Sequence, residues 1–184
     1  MQRGKKADEG GGKEEMSNQK SVHHPCFTFN YEGMNLQALT KWEPALLRNG
    51  FVYEQQYYLG HPVYQPWESF AEIQSGIWSE WMITEAELDQ LFKNRMTKNV
   101  KPLMERGLVL FLSLLFWSNG KPVNLHQYHL NIEQLDAKPV NIDERLGFVL
   151  KRPEFYPSYM QLKSLMEEQK KSAAKLAAIK KPSK

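Results

Sequence analysis

The sequence of 184 residues contains one cysteine and no long hydrophobic run, and we expect no secretory signal. Cys26 alone can form neither an intramolecular disulfide nor a zinc site with two or four thiolates. The most apolar run, Leu108 to Trp117, is about ten residues long, whereas a bilayer span needs roughly 20. The N-terminal stretch before Ser21 is polar and rich in glycine, unlike a signal peptide. We therefore expect a cytoplasmic protein without a membrane span.

Motifs that carry familiar chemistry are also missing from the sequence. It contains no G-x-S-x-G nucleophile motif, no glycine-rich phosphate loop and no dinucleotide-binding fingerprint. Cys26 follows His23 and His24 closely, but proximity in the sequence says little about an activated thiolate, and we expect an inert thiol. We expect no cofactor, and the balance of the sequence favours a protein that is not an enzyme.

The charge of the chain is unevenly distributed. The net charge is +3, yet Gln169 to Lys184 contains six lysines and no acidic residue, so the remainder is slightly acidic. Residues 1–24 have too few apolar side chains to offset the entropy of ordering, and we expect a disordered leader in which Met16 is the true start. The predicted organisation is this leader, a helical domain over 25–169 and a basic tail over 170–184.

Helix signals dominate the second half of the chain. Lys101 to Ser118 is apolar nearly all round and ends at Asn119-Gly120, which predicts a central, enclosed helix. A capping-box pattern that begins helices occurs four times. The pairs are Thr84 with Glu87, Asn124 with Gln127, Asn141 with Glu144 and Ser158 with Gln161. Because no run alternates as a strand does, we predict an all-α, single-domain orthogonal helical bundle.

Three side chains form a weak candidate metal site. His126, His129 and Glu133 have the spacing that places them on one face of a helix beginning at Asn124. No H-E-x-x-H motif is present and a further ligand from another helix is needed. A solvated polar face is the favoured interpretation, and we predict no metal.

Aromatic residues are concentrated between Phe51 and Trp81. Most of them are expected to cover the core, notably Trp78 and Trp81 at helical spacing. Tyrosine and tryptophan also anchor binding surfaces. Our candidates for a groove that binds a protein partner are Tyr57, Tyr58, Tyr64 and Trp67.

Basic residues offer a second candidate surface. Lysines of the tail can neutralise phosphates, which gives weak, salt-dependent binding to nucleic acid, and a solubilising end explains them equally well. The candidates for binding an anion or nucleic acid are Arg145, Lys151, Arg152, Lys170, Lys171, Lys175, Lys180 and Lys181.

The segment from Lys138 to Lys171 resembles the C-terminal part of the YpoC-like family of Bacillus-type bacteria. The matching residues are Lys138-Pro-Val-Asn141, Glu144-Arg145-Leu146, Arg152-Pro153, Tyr159 and Gln161-Leu162. The resemblance implies a small, cytoplasmic, helical protein without an assigned activity, and it supplies no catalytic residue.

These observations lead to three functional expectations. The first is a non-enzymatic protein-binding or adaptor protein that binds an unidentified protein partner through its aromatic region. The second is an accessory nucleic-acid-binding protein that uses the basic tail. The third and least favoured is a metal-dependent enzyme.

Overall fold

The computed structural model describes residues 21–29, 31 and 39–180. Most of the predicted leader and the candidate Lys181 lie outside the described residues. Buried residues extend beyond both bounds of the predicted domain, because Val22 lies before residue 25 and Ala173 lies after residue 169. The backbone of Ser21 bonds to that of Leu125, which ties the start of the described chain to the bundle.

The described residues form six α-helices and three short 3-10 helices, and they contain no strand. This arrangement confirms the predicted all-α fold. The α-helices are α1 (Val52–Tyr58), α2 (Phe70–Lys93), α3 (Val100–Ser118), α4 (Tyr128–Glu133), α5 (Ile142–Lys151) and α6 (Tyr156–Lys180). The 3-10 helices are Pro44–Asn49, Pro66–Glu68 and Thr97–Asn99.

Helix α3 occupies the centre of the bundle. Between Met104 and Trp117 every residue except Arg106 is buried, as the apolar sequence predicted. The helix ends where expected, because Gly120 adopts a left-handed conformation with φ of 72°.

Helices α2 and α6 both pack on α3. The Tyr159 hydroxyl donates to Asp89, whereas Lys170 lies over the ring of Trp78, so α6 runs antiparallel to α2. Gly107 permits the close approach of the helices, because a Cβ atom there would lie 3.0 Å from Leu162 Cδ2.

The bundle encloses two carboxylates that bond to neighbouring elements. Glu80 of α2 accepts hydrogen bonds from Arg48 Nε at 2.7 Å and from Arg106 Nη2 at 2.8 Å, which links α2 to α3. The bond from Arg48 holds the pKa of Glu80 below its usual range. Glu105 of α3 accepts from the backbone and hydroxyl of Thr28. The sequence alone does not show that these two carboxylates are buried, yet their hydrogen bonds join neighbouring parts of the bundle.

Glu54 of α1 is a third enclosed carboxyl group, with no exposed surface. Its Oε1 accepts from Trp117 Nε1 at 2.6 Å and from the backbone N–H of Val123 at 3.2 Å, whereas Oε2 has no partner. Burial raises the pKa of Glu54 to about 7, and the hydrogen bonds from Trp117 and the backbone oppose the shift. The group connects α1 to the end of α3.

Three of the predicted helix starts are wrong. Ser158 lies inside α6, which begins at Tyr156, and its buried hydroxyl has no hydrogen-bond partner in the part of the chain that the structure describes. Thr84 lies inside α2, where its hydroxyl donates to the carbonyl of Glu80 one turn earlier. Asn124 precedes a turn, because its side chain accepts from the backbone of His126, and α4 begins only at Tyr128. The pattern identified the helical regions but not the positions of these ends.

Candidate binding surfaces

An apolar groove runs between α2 and α3 at the end where the two helices connect. Its volume is about 500 Å³, and most of its lining is apolar. The lining residues are Ala86, Glu87, Gln90, Leu91, Asn99 and Leu103. We name it the α2–α3 groove.

Exposed apolar side chains lie near this groove. Ile83 is 41% exposed and precedes Ala86 by three residues, so the two share a face of α2. Met96 is 51% exposed, and its backbone N–H bonds to the carbonyl of Leu91 in the groove wall. The apolar surface therefore extends beyond the groove itself.

The charge at the groove is positive at one end. Glu87 in its lining pairs with Arg106 at 3.4 Å, which neutralises that carboxylate. Arg95 and Lys98 lie in the connection beside Asn99, both are exposed, and neither forms an ion pair with another described residue. The α2–α3 groove thus has mainly apolar walls, and two exposed cations lie in the connection that follows α2.

A second basic surface lies where α5 ends and α6 begins. Lys151 and Arg152 are exposed, and the guanidinium of Arg152 lies 5.4 Å from the ring centre of Phe155. Tyr156 is 54% exposed and meets the ring of Phe92 with centres 5.2 Å apart. The helix junction thus presents two cations and two exposed aromatic rings.

The aromatic candidates from the sequence, three tyrosines and Trp67, differ in exposure. Trp67 is only 6% exposed and donates its ring N–H to Gln65, and the ring of Tyr57 packs against it. The hydroxyl of Tyr58 donates to the carbonyl of Val123. Tyr57 and Tyr58 line a groove of about 290 Å³ with Lys121 and others, whereas Tyr64 is half-buried in the core margin.

The basic candidates do not form one patch. Arg145 donates to both carboxylate oxygens of Glu168 at 2.7 and 2.8 Å, so it joins α5 to α6. Lys170 covers the ring of Trp78, and Lys171 and Lys175 are exposed near the far end of α6. Lys180 ends the described helix. Lys175 lies 19 residues along α6 from Tyr156, which corresponds to about 30 Å of helix.

The structure does not bring the three weak metal candidates together at one site. His126 precedes α4, and the ring of His129 bonds to Asp143, whereas Glu133 is exposed nearby. Among the described residues, no three side chains of histidine, cysteine, aspartate or glutamate are placed to hold a metal ion. Cys26 is buried, which raises the pKa of its thiol to about 11 and keeps it protonated.

Sequence reasoning did not identify the α2–α3 groove. Leu91 and Leu103 fall within the apolar stripes of their helices, and stripes do not reveal which members remain uncovered. The sequence offered one sign of the groove. Two apolar residues, Ile83 in α2 and Met96 just after it, lie outside the enclosed helix α3.

The architecture is that of a helical bundle protein, and the comparisons with known proteins place it in a family. The sequence profile of the family described as YpoC-like protein matches residues 71–181. The chain is 32% identical over 115 residues to a Bacillus subtilis (strain 168) protein named Uncharacterized protein YpoC, covering 62% of this chain and 70% of that relative. No solved structure matches the chain significantly. The chain belongs to the YpoC-like protein family, as the residues of its C-terminal part predicted.

In the described part of the chain, no helix combines the length and the apolar character needed to cross a membrane.

Proposed function

We propose that this protein is a non-enzymatic adaptor that binds an amphipathic helix of a protein partner in the α2–α3 groove. The observation that carries the proposal is an apolar groove between two helices, with exposed Ile83 and Met96 near it. Helices commonly dock their apolar face into such grooves. Its cytoplasmic location remains a prediction from the sequence.

The charges beside the groove indicate which partner helix fits. Arg95 and Lys98 are exposed, whereas the carboxylate of Glu87 is occupied by Arg106. Opposite charges across an interface increase the association rate and reject partners of the wrong charge. The expected partner therefore carries leucine-like residues on one face of a helix and acidic residues beside them.

Three synthetic peptides test this preference. Each is a helix of about 16 residues, or roughly four turns, with the same leucine stripe and a polar face of glutamate, glutamine or lysine. Fluorescence anisotropy measures their affinity for the full chain. We expect the glutamate peptide to bind most tightly. The double variant with Arg95→Gln and Lys98→Gln should weaken binding of the glutamate peptide and leave binding of the other two unchanged.

Substitutions in α2 locate the binding surface. Ala86→Trp fills the groove with a bulky ring and is expected to weaken peptide binding at least tenfold, about 1.4 kcal/mol. Ala71→Trp is the matched control, because Ala71 is an exposed alanine in the first turn of the same helix. Equal binding by the two variants, or equal affinity for all three peptides, contradicts the proposal.

The sequence-predicted tyrosine surface is tested separately. Tyr57→Ala removes an exposed ring, and binding in the α2–α3 groove predicts that peptide affinity is unchanged. Trp67→Ala is unsuitable for this purpose, because Trp67 is buried and its loss would destabilise the core. A Tyr57→Ala protein that loses peptide binding would move the function to the tyrosine groove.

A further inference from the structure

The junction of α5 and α6 places consecutive aromatic residues on the surface. Phe155 is 46% exposed and Tyr156 is 54% exposed, and both stand at the start of α6. The backbone N–H of Phe155 bonds to the carbonyl of Arg152, which fixes the turn between the helices. Arg152 lies over one face of the Phe155 ring and Phe92 meets the Tyr156 ring, and about half of each of these two aromatic side chains stays exposed to solvent.

A cavity adjoins one of these rings. It has a volume of about 410 Å³ and is lined by Asp89, Phe92, Lys93 and Tyr156. Tyr156 and Phe92 meet edge to face, so the cavity has aromatic walls. Lys93 adds an ammonium group to the lining, beside the last turn of α2.

Cations outnumber available carboxylates around the junction. Lys93, Lys151 and Arg152 are exposed, and none forms an ion pair with another described residue. Among the acids nearby, Asp89 accepts from the Tyr159 hydroxyl at 2.6 Å and Glu85 pairs with Lys163 at 2.8 Å, while Glu154 is exposed.

The exposed cations and rings of the junction form one candidate surface. Lys93, Lys151 and Arg152 outnumber the exposed carboxylate of Glu154, so the junction remains basic. We name the set of Lys93, Lys151, Arg152, Phe155 and Tyr156 the basic corner.

We propose that the basic corner binds single-stranded nucleic acid. Its cations contact the phosphates, and the bases stack on Phe155 and Tyr156. Exposed aromatic rings interleaved with unpaired cations are the arrangement that single-stranded binding proteins use, because every base has a face that can stack. Bases inside a duplex are already stacked and do not offer those faces. The surface is distinct from the α2–α3 groove and does not depend on the function proposed for it.

The experiment measures binding of the full chain to a fluorescent oligothymidylate by anisotropy over a range of salt concentrations. Lys151→Gln with Arg152→Gln is expected to reduce the slope of log affinity against log salt by about 1.4, or 0.7 for each lost phosphate contact. Lys171→Gln with Lys175→Gln removes the same charge at the far end of α6 and is expected to leave the slope unchanged.

Stacking is tested by a substitution that keeps the apolar character. Phe155→Leu is expected to weaken binding by about fivefold to a hundredfold without changing the salt slope. Tyr57→Leu, at an exposed ring on α1, serves as the matched control and should bind as the parent does. Thermal melts of all variants establish that each is folded.

Several results would overturn the inference. If Lys171→Gln with Lys175→Gln loses as much binding as Lys151→Gln with Arg152→Gln, the affinity comes from general positive charge. A duplex of the same length that binds as tightly as the single strand removes the role of the aromatic faces. A polyglutamate peptide that competes as well as the oligonucleotide shows that the corner binds acidic protein instead.

Discussion

Replacing Glu54 with glutamine perturbs a carboxyl group that solvent does not reach. The folded protein binds the proton of Glu54 with a pKa of about 7, because burial penalises the charged form. The unfolded chain holds it with an ordinary value of 4.5. Between these values the folded state binds more protons than the unfolded state, so the free energy of unfolding falls as the pH rises.

The expected size of this effect follows from the same two values. At about 1.4 kcal/mol for each pH unit, a difference from 4.5 to about 7 corresponds to roughly 3 kcal/mol. This stability is fully present below pH 4.5 and is lost once the pH exceeds the folded value. Glutamine keeps the acceptor for Trp117 and Val123 but cannot ionise, so Glu54→Gln should abolish this part of the pH dependence.

Urea denaturation followed by circular dichroism measures the prediction at pH 5 and pH 8. The parent should lose roughly 2–3 kcal/mol more than Glu54→Gln between these conditions, because part of the effect already disappears below pH 5. Glu144→Gln, at an exposed position on α5, controls for the change of charge. A difference between the parent and Glu54→Gln that stays constant with pH would refute the idea that Glu54 holds its proton in the fold.

Three further predictions concern packing and reactivity. Glu80→Ala should cost about 3 kcal/mol in urea denaturation, because it leaves the largely buried Arg106 with only the longer 3.4 Å contact to Glu87, and an unchanged midpoint would contradict this. Gly107→Val should lower stability by about 1–3 kcal/mol through overpacking, whereas Gly147→Ala, in open surroundings, should raise the melting temperature slightly. Cys26 should react with iodoacetamide about a hundredfold more slowly in the folded protein than in urea, and equal rates would show an accessible thiolate.

The central helix was predictable because its sequence is unambiguous. An apolar surface all round α3 leaves burial as the only favourable arrangement, and Asn119-Gly120 provides the left-handed stop that ends it. The family resemblance, carried by residues of α5 and α6, was equally visible in the sequence. Strong local patterns of this kind need no information from distant residues.

The helix starts were less predictable because capping residues have alternative partners. Thr84 bonds back along its own helix, and Asn124 bonds to Ser21 and His126 instead of capping α4. Asn141 does precede α5, but it adopts a left-handed conformation with φ of 53° and makes no side-chain cap. The four-residue pattern does not distinguish among these uses.

The candidate surfaces depended on tertiary packing that no local pattern reports. Trp67 is of a residue type that commonly anchors binding surfaces, yet it is buried. Phe155 and Tyr156, in contrast, are exposed beside Arg152. The sequence placed positive charge near Tyr156 but did not show that the ring faces solvent. Which side of a helix its neighbours cover decides that outcome.

The bond between Arg145 and Glu168 has a consequence for any ligand at the neighbouring junction. A paired contact to both carboxylate oxygens holds α5 against α6, and these are the two helices that the junction connects. The rings and cations of the connection are therefore arranged before a ligand arrives. A ligand that binds at the junction would therefore cost the protein little conformational freedom, which favours affinity from a small area of contact.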